Sequence, residues 1–177
     1  MLGPSHPDLA VSFSQLGIAY LEINEYKPAL RAFRAALGIR RKSLDRADPK
    51  IARLLNNIGC TLFELGQLVD AEVAFEEALA IQRSIMRHPG CLGRGRKTNN
   101  VNHVLLTIAA TLCNLGSIQL SWKMHEKAIV ALDEALLIQQ SVLGDDHITV
   151  INTKKGIANL EKRRQFEWSN ALVSHGN

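Results

Sequence analysis

The sequence predicts an all-α fold, a right-handed α-solenoid of antiparallel helix pairs, from three observations. The chain repeats itself at an interval of 42 residues. Within each copy the apolar residues recur at helical spacing. Aromatic residues make up only 5% of the chain while Ala and Leu are plentiful, which suits close helix packing better than a sheet.

The repeat is read directly from the residues. Displaced by 42 positions, Gly17 falls on Gly59, Ala29 on Ala71, Phe33 on Phe75, Ala36 on Ala78, Leu37 on Leu79 and Ile39 on Ile81. A further displacement of 57 finds Gly116, Ala128, Leu132, Ala135, Leu136 and Ile138, so about fifteen residues are inserted before the third copy. A fourth, weaker copy opens near Asp145-Asp146-His147 and keeps Ile157-Ala158 where the others have an aliphatic residue and Gly.

Each copy reads as helix A, a tight turn and helix B. In the first, Phe13, Leu16, Gly17 and Tyr20 fall on one helical face, as do Ala29, Phe33, Ala36 and Leu37. Pro7 and Pro49 open the A helices, where a missing N–H costs nothing, and Pro28 sits in the first turn of a B helix. Asn24-Glu25 and Gly66 mark the first two turns; Trp122 and Met124 flank the third. Gly17 and Ala29 let helices A and B approach closely, with Phe33 and Tyr20 filling the space alongside. One pair cannot bury its whole apolar stripe, so neighbours must stack. The organisation expected is two repeats over 1–87, a basic flexible insertion over 88–103, a third repeat over 104–143, and a degenerate fourth repeat or C-terminal cap over 144–177. In that cap Phe166, Trp168 and Leu172 would cover the end of the stack.

These residues resemble the tetratricopeptide repeat, whose helix A carries a bulky residue, Leu-Gly and Tyr, and whose helix B carries Ala, Phe or Leu, and Ala. Here the pattern reads Phe13, Leu16-Gly17, Tyr20, Ala29, Phe33, Ala36. It returns as Leu55, Ile58-Gly59, Leu62, Ala71, Phe75, Ala78, and again as Leu112, Leu115-Gly116, Gln119, Ala128, Leu132, Ala135. The period of 42 rather than about 34, the Ala-Leu-x-Ile segments at 36–39, 78–81 and 135–138, and Leu55-Asn56-Asn57-Ile58 are similar to the kinesin light chain and nephrocystin-like subgroup.

The resemblance implies a protein–protein interaction adaptor that takes a peptide or partner segment in a concave groove lined by the A helices. By register the groove positions are Gln15, Arg53, Asn56, Asn57, Asn114, Ser117, Asn152 and Lys155. Asn gains nothing on an exposed helix middle, yet its amide both donates to and accepts from an extended main chain; the resemblance implies this role for Asn57 and Asn114. Arg53 and Lys155 would favour an acidic segment. Some relatives clamp a C-terminal carboxylate through Lys and Asn on their first A helix; Ser14 and Ile18 stand at those positions and exclude that clamp.

Charge and composition narrow the alternatives. Of the net +4, an excess of three lies in 88–103, one in 1–87 and none in 104–177. Arg94, Arg96 and Lys97 without an aromatic partner do not favour a nucleic-acid role. His88, Cys91 and His103 match no zinc spacing, and Gly93 and Gly95 lack the strand and further glycines of a nucleotide loop. Cys113 and His125 fall on different helices without a third orienting group. No metal, cofactor or enzymatic activity is expected. Three irregularly spaced cysteines imply no disulfide framework, and Met1–Ala10 has no signal-peptide character. The apolar stretches read as too short for a membrane span, so the expected setting is cytoplasmic. The competing reading is a self-associating module, a homodimer for instance, or part of a longer repeat scaffold, since Phe13 and Leu16 on the first helix would be left partly exposed.

Overall fold

The computed structural model describes residues 7–43, 48–87 and 98–174. Among these there are seven α-helices and no strand, as the repeat pattern predicts: α1 (Pro7–Glu22), α2 (Tyr26–Ser43), α3 (Pro49–Glu64), α4 (Leu68–Arg87), α5 (Thr98–Ser121), α6 (His125–Leu143) and α7 (Ile148–Ser174). The A helices are α1, α3, α5 and α7; the B helices are α2, α4 and α6. The chain forms two compact units, residues 1–104 and 105–177.

In the first unit α1 packs on α2, α2 on α3 and α3 on α4. The core is built from the repeated positions: Ala29, Phe33 and Ala36 of α2 are buried beside Ala71, Phe75 and Ala78 of α4 and Ile51, Leu55 and Leu62 of α3. In the second unit α6 packs on α7, where Ile129, Ile157 and Leu160 close a core with Leu120, Leu132 and Leu136.

The Leu-Gly pair has a sharper role than close helix approach alone. A Cβ on Gly17 would lie 2.6 Å from Cε1 of Phe33, and one on Gly59 would lie 2.6 Å from Cε1 of Phe75. The ring sits on the glycine itself rather than alongside it. In the third copy Leu132 replaces the ring, and a Cβ on Gly116 would meet it at 3.2 Å.

The three A–B turns are identical in construction. Asn24, Gly66 and Lys123 stand at equivalent positions with φ of 59°, 73° and 58°. Each donates its N–H three residues back, and the next residue donates five back: Asn24 to Leu21 and Glu25 to Tyr20, Gly66 to Phe63 and Gln67 to Leu62, Lys123 to Leu120 and Met124 to Gln119. This Schellman closure satisfies carbonyls that the helix end would leave orphaned.

Three expectations need correction. Residues 98–103, expected as loop, form the start of α5, which begins eight residues before the position matching Pro49; the rest of the insertion, with His88, Cys91, Gly93, Arg94, Gly95, Arg96 and Lys97, lies outside the described residues. α5 also contains, at Val101–Ser121, a stretch long and apolar enough by length and composition to cross a membrane. Its Val104, Ile108, Ala109, Leu112, Leu115 and Ile118 are buried at helical spacing, the pattern of a helix packed along one face. Finally, α7 runs without a break to Ser174, and Phe166 is 69% exposed, so it covers nothing; the side chains of Trp168 and Leu172 lie outside the described set.

Candidate functional site: two grooves of one design

Within each unit the two A helices leave a groove between them, floored by the B helix that connects them. In the first unit Val11, Ser14, Gln15 and Ile18 of α1 face Lys50, Arg53, Leu54 and Asn57 of α3, with Arg40 of α2 beneath, around a cavity of about 310 Å³. The spacing on each helix, three or four residues between lining positions, puts the groups on one face.

The second unit repeats this arrangement 99 residues later. Ala110, Cys113 and Asn114 of α5 take the places of Val11, Ser14 and Gln15; Thr149, Asn152, Thr153 and Gly156 of α7 take those of Lys50, Arg53, Leu54 and Asn57; Gln139 of α6 takes that of Arg40. This groove encloses about 730 Å³. It is wider where Thr149, Asn152 and Gly156 stand for the longer Lys50, Arg53 and Asn57.

The helix starts that position these walls are capped at matching residues. Asp48 Oδ1 accepts from the N–H of Lys50 at 2.7 Å, and His147 Nδ1 accepts from the N–H of Thr149 at 3.2 Å. Each cap fills one donor that the first helical turn leaves open.

The floor residue was not singled out by sequence reasoning. Arg40, Gln82 and Gln139 each directly follow the Ile of the Ala-Leu-x-Ile segment and are 7%, 3% and 4% exposed. A long polar side chain recurring at one repeat position next to an apolar motif was the available signal. Gln139 shows what such a group does. Its Nε2 donates to Cys113 Sγ at 3.8 Å, and its Oε1 accepts from Thr153 Oγ1 at 2.8 Å, so one amide bridges both walls. Burial pushes the Cys113 thiol above its ordinary pKa, with the Gln139 hydrogen bond offsetting part of the rise. A protonated, half-buried thiol is a poor nucleophile.

The structure brings Gln15, Arg53 and Asn57 together in the first groove and Asn114 with Asn152 in the second. Asn57 lies on the α3 wall of its groove, Asn114 on the α5 wall of the other. Asn56, half-buried on α3, and Ser117 and Lys155, both exposed, lie outside the two linings; the Ser117 hydroxyl donates to the Cys113 carbonyl at 3.1 Å. The Ser14 hydroxyl donates to the Ala10 carbonyl at 2.7 Å, and Ile18 is 46% exposed, so neither supplies the cation or amide that a carboxylate clamp requires.

Two family models match the chain, both described as the tetratricopeptide repeat: one over residues 9–50 and 51–89, the other over residues 109–141. Among curated proteins no sequence matches. Solved structures do. Nearly identical TPR-like repeats from a Podosopora anserina protein assigned to the kinesin light chains align with a TM-score of 0.71 at 18% identity, over 99% of this chain and 76% of that one. BtubC (BKLC) from P. vanneervenii aligns with a TM-score of 0.71 at 22% identity, over 96% of this chain and 62% of that one. The first TPR of Spaghetti (RPAP3), solved bound to the HSP90 peptide SRMEEVD, aligns with a TM-score of 0.61 at 13% identity, over 89% of this chain and 94% of that one.

Proposed function

The chain belongs to the tetratricopeptide repeat family, and from that premise we propose that it is an interaction module that holds an extended peptide or partner segment in its helix-A grooves. Repeats of this family are scaffolds for protein contact and not enzymes. The observation that carries the reading is the duplicate groove: two depressions of the same construction, with amides of Gln15 and Asn57 in one and of Asn114 and Asn152 in the other. Amides suit an extended main chain because each offers a donor and an acceptor side by side. The cations lining the first groove support a preference for acidic segments.

The test is a displayed random 12-residue peptide library panned against the full chain, followed by titration of the selected peptides. Asn57→Ala combined with Asn114→Ala should weaken their binding at least tenfold while helicity and melting stay unchanged. Undiminished affinity in that variant removes the groove assignment.

Self-association is the second reading, favoured by the exposure of Val11 (44%) and Leu16 (43%) on α1 and of Ile23 (65%) in the turn that follows it. Light scattering coupled to size exclusion decides it: a strict monomer at high concentration removes it.

A further inference from the structure

We infer that the outer face of α1 is a self-complementary seam through which two copies of this chain pair antiparallel about a twofold axis, Leu16 of one copy against the partner's Ala19. The inference rests on the self-association reading above and adds to it which surface pairs and in which direction.

Inside the array a helix A is covered on two sides, by its own helix B and by the helix B before it. α3 shows the second side. Its Leu54, Ile58 and Thr61 are 3%, 5% and 0% exposed, and α2 packs on this helix as well as α4. The matching residues of α1, 42 positions earlier, are Ser12, Leu16 and Ala19. All three are exposed, Leu16 at 43%. Among the described residues no helix precedes α1 to cover them.

The open side is patterned. Leu9, Ser12, Leu16 and Ala19, with Ile23 in the turn that follows, are spaced alternately by three and four residues. That is the spacing of a coiled-coil seam, with large aliphatic residues at its a positions (Leu9, Leu16, Ile23) and small ones at its d positions (Ser12, Ala19). A parallel pair would set a against a and d against d, crowding large on large and leaving gaps between the small residues. An antiparallel pair sets a against d, so each large side chain meets a small one. A surface that fits itself in this way is what a twofold interface requires.

Charge then selects the register. Leu16 can lie against the partner's Ser12 or against the partner's Ala19. The first register brings Asp8 beside the partner's Glu22, two carboxylates. The second brings Gln15 beside the partner's Glu22, an amide that donates to a carboxylate, twice over by symmetry, and sets Ile23 against the partner's Ser12. The second register is therefore the one adopted. α1 has 16 residues and is about 24 Å long, so the seam lies at the small end of specific interfaces and the dimer is weak, with a Kd on the order of 100 µM.

Sedimentation equilibrium of the full chain, run from about 10 µM to about 1 mM, should show the mean mass rising from one chain toward two and no further. Ala19→Glu places a charge at a position that is exposed in the single chain and buried in the dimer; it should raise Kd at least tenfold while helicity and Tm stay unchanged. Gln15→Lys should tighten the dimer several-fold and Gln15→Glu should loosen it, and added salt should shrink both effects. Cross-linking reads the direction. Ser12→Cys and Ile23→Cys chains, mixed and mildly oxidised, should form a disulfide between the two positions, located by peptide mass spectrometry. Neither variant alone should link to its own copy through that position, because like positions stand about 16 Å apart in this register and a disulfide spans under about 7 Å. A chain that stays monomeric throughout overturns the self-association reading and this inference with it. A dimer that persists in Ala19→Glu, that links 12 to 12 or 23 to 23, or that fails to link 12 to 23 overturns the antiparallel α1 seam and leaves self-association standing.

Discussion

The glycine beneath each ring gives a test of how the helix pairs are held. In Gly59→Ala the new Cβ would stand 2.6 Å from Cε1 of Phe75, whereas carbon atoms settle at about 3.5–4.0 Å. The ring must retreat by about 1 Å, and Phe75 is only 1% exposed, with close-packed neighbours behind it. Overpacking of this kind costs about 1–3 kcal/mol; the gain of Ala over Gly in a helix, about 1 kcal/mol, offsets part of it. The net is about 0–2 kcal/mol destabilising, read as a fall in Tm of up to about 8 °C for a chain of this length. Gly116→Ala is the control. Its Cβ would meet Leu132 Cγ at 3.2 Å, so a few tenths of an ångström suffice, and the helix propensity gain makes it neutral or stabilising by up to about 1 kcal/mol. Replacing the ring by the third repeat's residue should relieve the clash: Gly59→Ala with Phe75→Leu should be more stable than the sum of the single variants by at least about 1 kcal/mol. Thermal unfolding followed by circular dichroism measures all four. If Gly59→Ala stabilises as Gly116→Ala does, or the double variant is additive, the ring-on-glycine account is refuted.

Three further outcomes are expected. Lys123 holds a left-handed conformation at φ 58° where the second repeat has Gly66; Lys123→Gly should stabilise the chain by about 1 kcal/mol, seen as a raised Tm. Hydrogen bonds from Lys154 and Gln140 hold the Asp145 carboxyl below its ordinary pKa. A depressed folded pKa means that the contact is present above the unfolded value and is lost as pH falls through the folded one, so a carboxylate titration by NMR should place Asp145 below a free aspartate, and Lys154→Ala should move it up. The Cys113 thiol is raised by burial, so its alkylation should be slower than that of a small free thiol at pH 8 and should accelerate only at higher pH; a rate equal to the free thiol's refutes the burial argument.

The architecture was legible because its determinants recur. Gly17, Gly59 and Gly116, with their partners sixteen residues on, announce a helix pair each time, and the helix starts at Pro7, Pro49 and Ile148 keep one register. The same register puts Gln15, Arg53 and Asn57 on the lining of the first groove and Asn114 and Asn152 on that of the second. Asn56, Ser117 and Lys155 lie on the same helices but outside the two linings. The floor was missed for a physical reason: Arg40, Gln82 and Gln139 belong to B helices, and a polar residue there reads as surface until burial shows otherwise. The helical start of α5 at Thr98 was hidden by the Asn-rich, weakly helix-forming sequence of 98–103, which is helical as the first turns of a longer helix.

Ala158 stands where three other A helices carry glycine, and it is exposed. Among the described helices the glycine stands where the next helix presses a ring or a leucine against it. A helix B laid on α7 would therefore require glycine at 158 only if it brought an aromatic ring there; with a leucine, as in the third repeat, Ala158 could stay.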